Sequence, residues 1–108
     1  MLLLLRDLAT PAQVTHADWE VLIKVVVDTR REILAGGGEM HADGETLLLA
    51  DGSQQEDLWG ANWYPDSGEI RFEALINIRP RQNNRRMQLE SEALRNKMDA
   101  IIRRILRG

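Results

Sequence analysis

Two pairs of strand-like segments, each pair joined by only four turn residues, constrain the fold of this chain most strongly. In the first pair, residues 21–27 are rich in β-branched side chains and residues 32–35 are apolar. In the second pair, residues 58–64 and 69–79 are separated by Pro-Asp-Ser-Gly, which has the composition of a type I turn. β-Branched residues favour extended backbone, and such short loops join antiparallel strands. The sequence therefore predicts two β-hairpins.

The last of these segments, residues 69–79, alternates almost without interruption. Its apolar members are Ile70, Phe72, Ala74, Ile76 and Ile78. Because successive side chains of a strand point to opposite faces, this spacing predicts one long strand with its apolar face in the core. Pro80 is expected to end the strand, since it cannot donate a ladder hydrogen bond.

Helices are predicted at both ends of the chain. Thr10-Pro11 is a helix-start signal and predicts a first helix over about residues 11–19. The last helix starts near Ser91 and carries one apolar stripe, formed by Leu94, Met98, Ile101, Ile102 and Ile105. Between them, Asp43 is suited to cap a short helix through the three leucines at 47–49, although the same residues would also make a short strand.

These segments together predict a single α+β domain over residues 1–108. We expect a mainly antiparallel sheet of four to five strands, built from the two hairpins, with the N-terminal and C-terminal helices packed on one face. A length of 108 residues fits one domain with a modest core.

Composition narrows the class of protein. The net charge of −3 makes a nucleic-acid partner unlikely and gives no basis for a membrane-surface partner. The leucine run at residues 2–5 is too short to span a bilayer. The absence of cysteine excludes disulfides and thiolate metal sites and fits a cytoplasmic location.

Charges are segregated along the chain. Residues 36–70 hold eight carboxylates and no lysine or arginine, whereas residues 71–108 hold ten basic side chains and four acids. Opposite charges that are separated in sequence can meet in the fold or across an interface. We therefore expect the acidic and basic halves to pair with each other.

Three residues at alternate positions, His41, Asp43 and Glu45, form a candidate metal site. On an extended backbone all three would project to one face, where imidazole and carboxylates can ligate Zn, Mn or Fe. On a helix only His41 and Glu45 would align. The structural alternative has Asp43 as a helix cap and His41 hydrogen-bonded to backbone.

A second candidate site combines a donor-rich strand end and loop with a nearby tryptophan. Its members are Trp59, Asn77, Arg79, Asn83 and Arg85. Guanidinium and amide groups can hold a phosphate or carboxylate through bidentate, charge-assisted hydrogen bonds, so a small anionic ligand is possible here. The structural alternative is a solvated loop whose amides satisfy turn backbone and whose arginines pair with the acidic segment.

Several segments of the chain resemble a family of small uncharacterised bacterial proteins that is known only as a domain of unknown function. They are Val26-Val27-Asp28, the run from Gly37 to Asp43, Asp51-Gly52-Ser53, Asp57-Leu58-Trp59-Gly60 and the run from Ile76 to Pro80 with Asn83. The resemblance covers the chain from about residue 21 onward. It implies no activity, ligand, cofactor or catalytic residue.

Two hypotheses follow, and whether the protein is an enzyme stays open. The first is a cytoplasmic binding or interaction module, a homodimer, that uses the Arg/Asn-rich sheet face and loop. The second is a small metal-dependent hydrolase or lyase in which His41, Asp43 and Glu45 hold the ion and Arg79 steadies an anionic substrate.

Overall fold

A computed structural model describes residues 3–5 and 22–106. Its five strands are β1 (Leu3–Leu5), β2 (Ile23–Asp28), β3 (Ile33–Gly36), β4 (Leu58–Tyr64) and β5 (Glu69–Arg71). They form one sheet in the order β1-β3-β2-β4-β5, and all neighbouring strands are antiparallel. In the described part of the chain, two α-helices, α1 (His41–Ala50) and α2 (Glu92–Ile105), accompany them. The two predicted hairpins, β2–β3 and β4–β5, are confirmed, and the helix predicted at residues 11–19 lies outside the described residues.

The C-terminal helix α2 covers one face of the sheet, as its apolar stripe predicts. Ser91 caps it, with its Oγ accepting a hydrogen bond from the Leu94 N–H at 3.2 Å. Its buried side chains pack with those of β2 and β4 in one core cluster, which includes Val25, Val27, Trp59, Trp63, Met98, Ile102 and Ile105. This cluster is the larger part of the core.

The middle helix α1 lies on the opposite face. Its Leu48 is fully buried in a second cluster with Val26, Ile33, Ala35 and Leu58. The segment whose sequence fits helix or strand is therefore helix, and it fills the sheet face that α2 leaves open. The two described helices thus cover opposite faces, and the packing of the N-terminal and C-terminal helices on one face stays a prediction, because the N-terminal helix lies outside the described residues.

Close contact between α1 and the sheet depends on Gly44. A Cβ built on Gly44 would lie 2.9 Å from Cγ2 of Val26 and 3.4 Å from the Cβ of Ala35. Real side chains essentially never approach at the shorter of these distances, so any larger residue would push the helix outward. Gly44 therefore sets how close the N-terminal half of α1 sits to β2 and β3.

The long strand predicted over residues 69–79 is wrong, because β5 ends at Arg71. Leu75–Asn77 instead form one turn of 3₁₀ helix, and Pro80 begins another, Pro80–Gln82, rather than ending a strand. Ile70 and Phe72 pack toward α2, whereas Ile76 packs toward α1. The apolar spacing persists, but the chain turns between the two clusters and its side chains do not share one face.

Within the described residues, no helix has the length and apolar character needed to cross a membrane.

Candidate functional site

The outer edge of β4 organises the candidate site. β5 pairs only with Asn62, Trp63 and Tyr64 of β4. Nearer the start of β4, the described chain places no strand on that edge, and side chains from the segment after β5 bond to its backbone instead. Backbone N–H and C=O groups buried without a partner are costly, so these side chains replace a strand.

Asn77 makes the closest of these contacts. Its side chain is fully buried, accepts a hydrogen bond from the Gly60 N–H at 2.8 Å and donates one to the Gly60 carbonyl at 2.9 Å. It also donates to the Met87 carbonyl at 3.1 Å. The amide therefore pairs with Gly60 as a neighbouring strand residue would.

Asn84 braces the next stretch of chain in the same way. Its buried amide donates to the carbonyls of Asn77, Arg86 and Gln88 at 2.8 to 3.0 Å and accepts from the Glu90 N–H at 2.8 Å. The polar loop that follows Pro80 is thus tied together from within.

Arg79 uses its guanidinium to hold carbonyl groups. It donates to the carbonyls of Ile76 at 2.9 Å, Gln55 at 2.6 Å and Leu58, and to the side chain of Gln82 at 3.1 Å. The group also stacks on Trp59, 3.9 Å from the ring centroid. Burial lowers the pKa of Arg79, while the negative charge of Glu45 acts in the opposite direction.

The fold therefore brings together only three of the five residues of the predicted anion site. Trp59, Asn77 and Arg79 do come together, but the amide and the guanidinium bond to the protein itself. Asn83 and Arg85 lie exposed on the loop. The Arg85 backbone N–H donates to the Glu90 carboxylate at 2.7 Å. The described contacts of this group stabilise the edge of β4, and binding of a small anionic ligand here stays a prediction.

His41, Asp43 and Glu45 all lie in the first half of α1, with different roles. The Asp43 carboxylate turns back and accepts from the Met40 N–H at 3.2 Å, so Asp43 caps the helix from inside its first turn. Among residues 3–5 and 22–106, no group of three or more His, Asp or Glu side chains is placed to hold a metal ion. These three side chains therefore do not form a ligand set within the described residues, and metal binding by His41, Asp43 and Glu45 stays a prediction.

His41 reaches the backbone of β4 across the position where Gly60 lacks a side chain. Its Nε2 lies 2.9 Å from the Ala61 carbonyl oxygen. A Cβ on Gly60 would meet Cδ2 of His41 at 3.1 Å and the Cβ of Ala74 at 2.6 Å. Gly60 thus admits both the imidazole and the segment after β5 to the surface of the sheet.

Burial lowers the pKa of His41, and the positive charge of Lys24 lowers it further. Hydrogen bonding to the Ala61 carbonyl and the neighbouring Asn62 amide act in the opposite direction without reversing the shift. The ring is therefore neutral near pH 7. Because a carbonyl oxygen only accepts, Nε2 carries the proton and Nδ1 is left as an acceptor.

We expect His41 to make the stability of the protein depend on pH. Its pKa is lower in the folded protein than the usual value of about 6.5, so the unfolded chain binds the proton more readily as the pH falls. The His41 contribution is thus complete above about pH 6.5 and is lost as the pH falls through the folded-state pKa. Denaturant unfolding of wild type and His41→Gln should show the wild type losing free energy of unfolding relative to the variant under acidic conditions. A constant difference across this range would contradict the expectation.

A pocket of about 300 Å³ opens beside His41, between the start of α1 and the segment after β5. Five large hydrophobic side chains are exposed in the described part of the chain, and three of them, Met40, Leu75 and Met87, line this pocket. Sequence reasoning did not connect Leu75 with the two methionines. They come from separate segments with no shared period.

Asn62 and Lys24 are polar residues that line the pocket. Asn62 Oδ1 is inaccessible to solvent, and the Asn62 side chain acts on the neighbouring His41 imidazole. The amide nitrogen of Asn62 approaches the Glu73 carbonyl at 3.4 Å. Lys24, which also lines the pocket, donates to the Glu39 carbonyl at 2.7 Å.

Two carboxylates of the acidic segment form ion pairs with arginines that precede the segment in the sequence. Asp51 and Asp57 pair with Arg31 at 2.7 Å and with Arg30 at 3.0 Å, both in the β2–β3 turn. Within the described residues these ion pairs do not join the acidic segment to the basic C-terminal part of the chain. Glu69 and Arg71, on either side of the boundary between the two halves, do pair at 3.1 Å, and wider pairing of the halves in the fold or across an interface stays a prediction.

Comparison with known proteins adds a family but no chemistry. A family model described as Protein of unknown function (DUF5674) matches residues 3–105. Searches of curated proteins and of solved structures find no match. The resemblance to a family of unknown function is therefore confirmed, and the description of this family names no activity or ligand.

Proposed function

Because the chain belongs to the DUF5674 family of unknown function, we propose from its geometry that it is a small binding module. The binding site is the apolar pocket beside His41. The hydrogen bonds of Asn77 and Arg79 hold the segment after β5, whose residues Ala74 to Ile76 line this pocket. The module takes an apolar group into this pocket.

One observation carries the proposal: exposed hydrophobic surface is concentrated at the pocket. Met40, Leu75 and Met87 are 57 %, 66 % and 43 % exposed, and all three line the same cavity. Exposed apolar side chains that cluster around a concave site are typical of binding surfaces. Methionine also suits such a site, because its flexible side chain adapts to different ligands.

An uncharged fluorescent probe, N-phenylnaphthylamine, tests this proposal. Its emission rises when it leaves water for an apolar site, so wild-type protein should increase the emission saturably. Met87→Gln should weaken probe binding about threefold to tenfold, because the substitution removes apolar contact at the pocket.

Ile78→Gln is the matched control. Ile78 is 44 % exposed, almost the same as Met87, but it does not line the pocket. This variant should bind the probe as wild type does. Equal effects of the two substitutions, or no saturable increase with wild type, would contradict the proposal.

Self-association was predicted from the sequence and stays a proposal. Light scattering on the same samples separates it from ligand binding, because a second copy that covers Met40, Leu75 and Met87 would raise the molar mass and exclude the probe. The cytoplasmic location and bacterial source likewise remain predictions.

A further inference from the structure

We propose that the apolar group taken into the pocket beside His41 is a side chain of an acidic protein segment, whose carboxylates bind residues 81–86, the arginine loop. This inference rests on the proposed binding function and names the kind of partner. It follows from three exposed arginines of the loop, which have no partner in the described part of the chain and which lead directly into the pocket wall.

The arginines of this loop differ from the other described arginines. Arg81, Arg85 and Arg86 are exposed, and within residues 3–5 and 22–106 their guanidinium groups make no ion pair or hydrogen bond. Every other described arginine donates from its guanidinium group to a carboxylate or to another oxygen of the chain. Guanidinium groups that are exposed together without a partner favour an anionic one, which they bind through charge-assisted hydrogen bonds.

The backbone of the arginine loop is fixed by hydrogen bonds at its base. Arg79 and Asn84 exchange two backbone N–H···O=C bonds, at 2.6 and 3.1 Å. The buried Asn84 amide also donates to the carbonyls of Asn77 and Arg86, both at 2.8 Å. A fixed backbone lowers the ordering cost of binding, because only the arginine side chains then lose freedom.

The arginine loop continues directly into the wall of the pocket. Met87, which lines the pocket, follows Arg86 in the sequence. Because consecutive Cα atoms are about 3.8 Å apart, the Cα atoms of Arg85 and Arg86 lie within about 8 Å of that of Met87. A peptide that places one side chain in the pocket therefore brings the carboxylates beside that side chain close to these guanidinium groups.

The pocket has the size of one large apolar side chain. Its volume is about 300 Å³. This space holds on the order of ten non-hydrogen atoms, since one water molecule occupies roughly 30 Å³ in the liquid. A phenylalanine side chain fits, and the neighbouring peptide backbone would cover the exposed side chains of Met40, Leu75 and Met87.

Nearby carboxylates reduce the positive charge of the arginine loop without cancelling it. Glu90 accepts a hydrogen bond from the Arg85 backbone N–H at 2.7 Å, so its charge offsets one of the three arginines. Lys24 and Glu73, which both line the pocket, offset each other. The loop together with Glu90 stays positive and attracts a segment that carries several carboxylates.

The same surface is poorly suited to nucleic acid. Residues 75–87 contain no aromatic side chain on which a base could stack. The net charge of −3 also opposes the approach of a long polyanion. An acidic protein segment with an apolar side chain uses both the arginine loop and the pocket.

Three fluorescently labelled peptides of equal length test the inference. In the first, glutamates flank a central phenylalanine; in the second, glutamines replace the glutamates; in the third, serine replaces the phenylalanine. Fluorescence anisotropy with the full chain at low salt measures their dissociation constants. The first peptide should bind about threefold to tenfold more tightly than either of the others. Its advantage over the glutamine peptide should shrink at high salt, because salt screens exposed charges.

A double variant of the loop locates the acidic contact. Arg85→Gln with Arg86→Gln should bring the acidic and glutamine peptides to within about twofold of each other. Arg103→Gln with Arg104→Gln is the matched control, because it changes the net charge equally but lies on α2, on the opposite face of the sheet. This control should keep the wild-type preference. An equal loss of preference in both variants, or no loss in either, would overturn the role of the arginine loop.

The outcomes separate this inference from the proposed function. If the glutamine or the serine peptide binds wild type as tightly as the first peptide, the acidic partner is overturned, whereas saturable binding of N-phenylnaphthylamine still supports the pocket. Tighter binding of a single-stranded oligouridylate than of the first peptide would also overturn the acidic partner. Failure of all three peptides, together with failure of N-phenylnaphthylamine, would overturn both.

Discussion

Asn77→Ala should lower the free energy of unfolding by about 3 kcal/mol, which is a large part of the stability of a domain this small. The substitution removes the acceptor for the Gly60 N–H and the donor for the Gly60 and Met87 carbonyls, all three within 3.1 Å of the Asn77 amide. Because Gly60 and Asn77 are buried, water cannot easily replace these bonds. Urea or thermal unfolding measures the loss.

Asn83→Gly is the control for this substitution. Asn83 belongs to the same loop region but is exposed, with a φ of 62° that glycine adopts without strain. This variant should stay within about 0.5 kcal/mol of wild type. A similar small effect for Asn77→Ala would mean that its amide does not hold the edge of β4.

Asp28→Ala should cost about 2 to 3 kcal/mol of the free energy of unfolding. Asp28 is fully buried at the end of β2, and its Oδ1 accepts from the N–H groups of Arg30 and Arg31 at 2.9 Å. Its Oδ2 accepts from the Ser53 hydroxyl at 2.6 Å. The carboxylate thus fixes the β2–β3 turn and ties it to the segment that follows α1.

Asp66→Ala is the matched control, because Asp66 is an exposed turn residue in the other hairpin. Asp28→Asn adds a finer comparison, since it keeps one acceptor oxygen and should cost less than alanine. Equal stability of the Asp28→Ala and Asp66→Ala variants would contradict the role given to Asp28.

Periodicity predicted the elements that hydrophobic burial alone determines. The β2–β3 hairpin, the bounds of β4 and the stripe of α2 all follow from apolar side chains that face one core. Residues 72–79 were misjudged because their course depends on one polar contact, the pairing of Asn77 with Gly60. Alternation of apolar and polar residues does not encode such a contact.

For the predicted anion site, the sequence identified residues with suitable hydrogen-bond donors but not what those donors bind. Asn77 and Arg79 have the donors that an anion site needs, and sequence reasoning also allowed that loop amides serve the backbone. Which use prevails depends on carbonyl groups that the fold brings within reach, such as those of Gly60 and Leu58. The pocket beside His41 was missed because its apolar members lie in three separate segments.

The resemblance segments now have a structural interpretation. Asp28 and Ser53 bond to each other, Asp43 caps α1, and Asn77 pairs with Gly60. Each of these contacts joins two of the segments or closes one of them. Much of the resemblance is therefore explained by the contacts that build the fold.

The location of bound N-phenylnaphthylamine, mapped by amide chemical-shift changes in the labelled protein, tests the central claim most directly. Binding in the pocket predicts the largest changes at Lys24, at Met40 to Ala42, at Asn62 and at Ala74 to Ile76, with little change in the loop of residues 81–86. Changes concentrated in that loop, or spread evenly over the surface, would contradict the assignment of the pocket as the binding site.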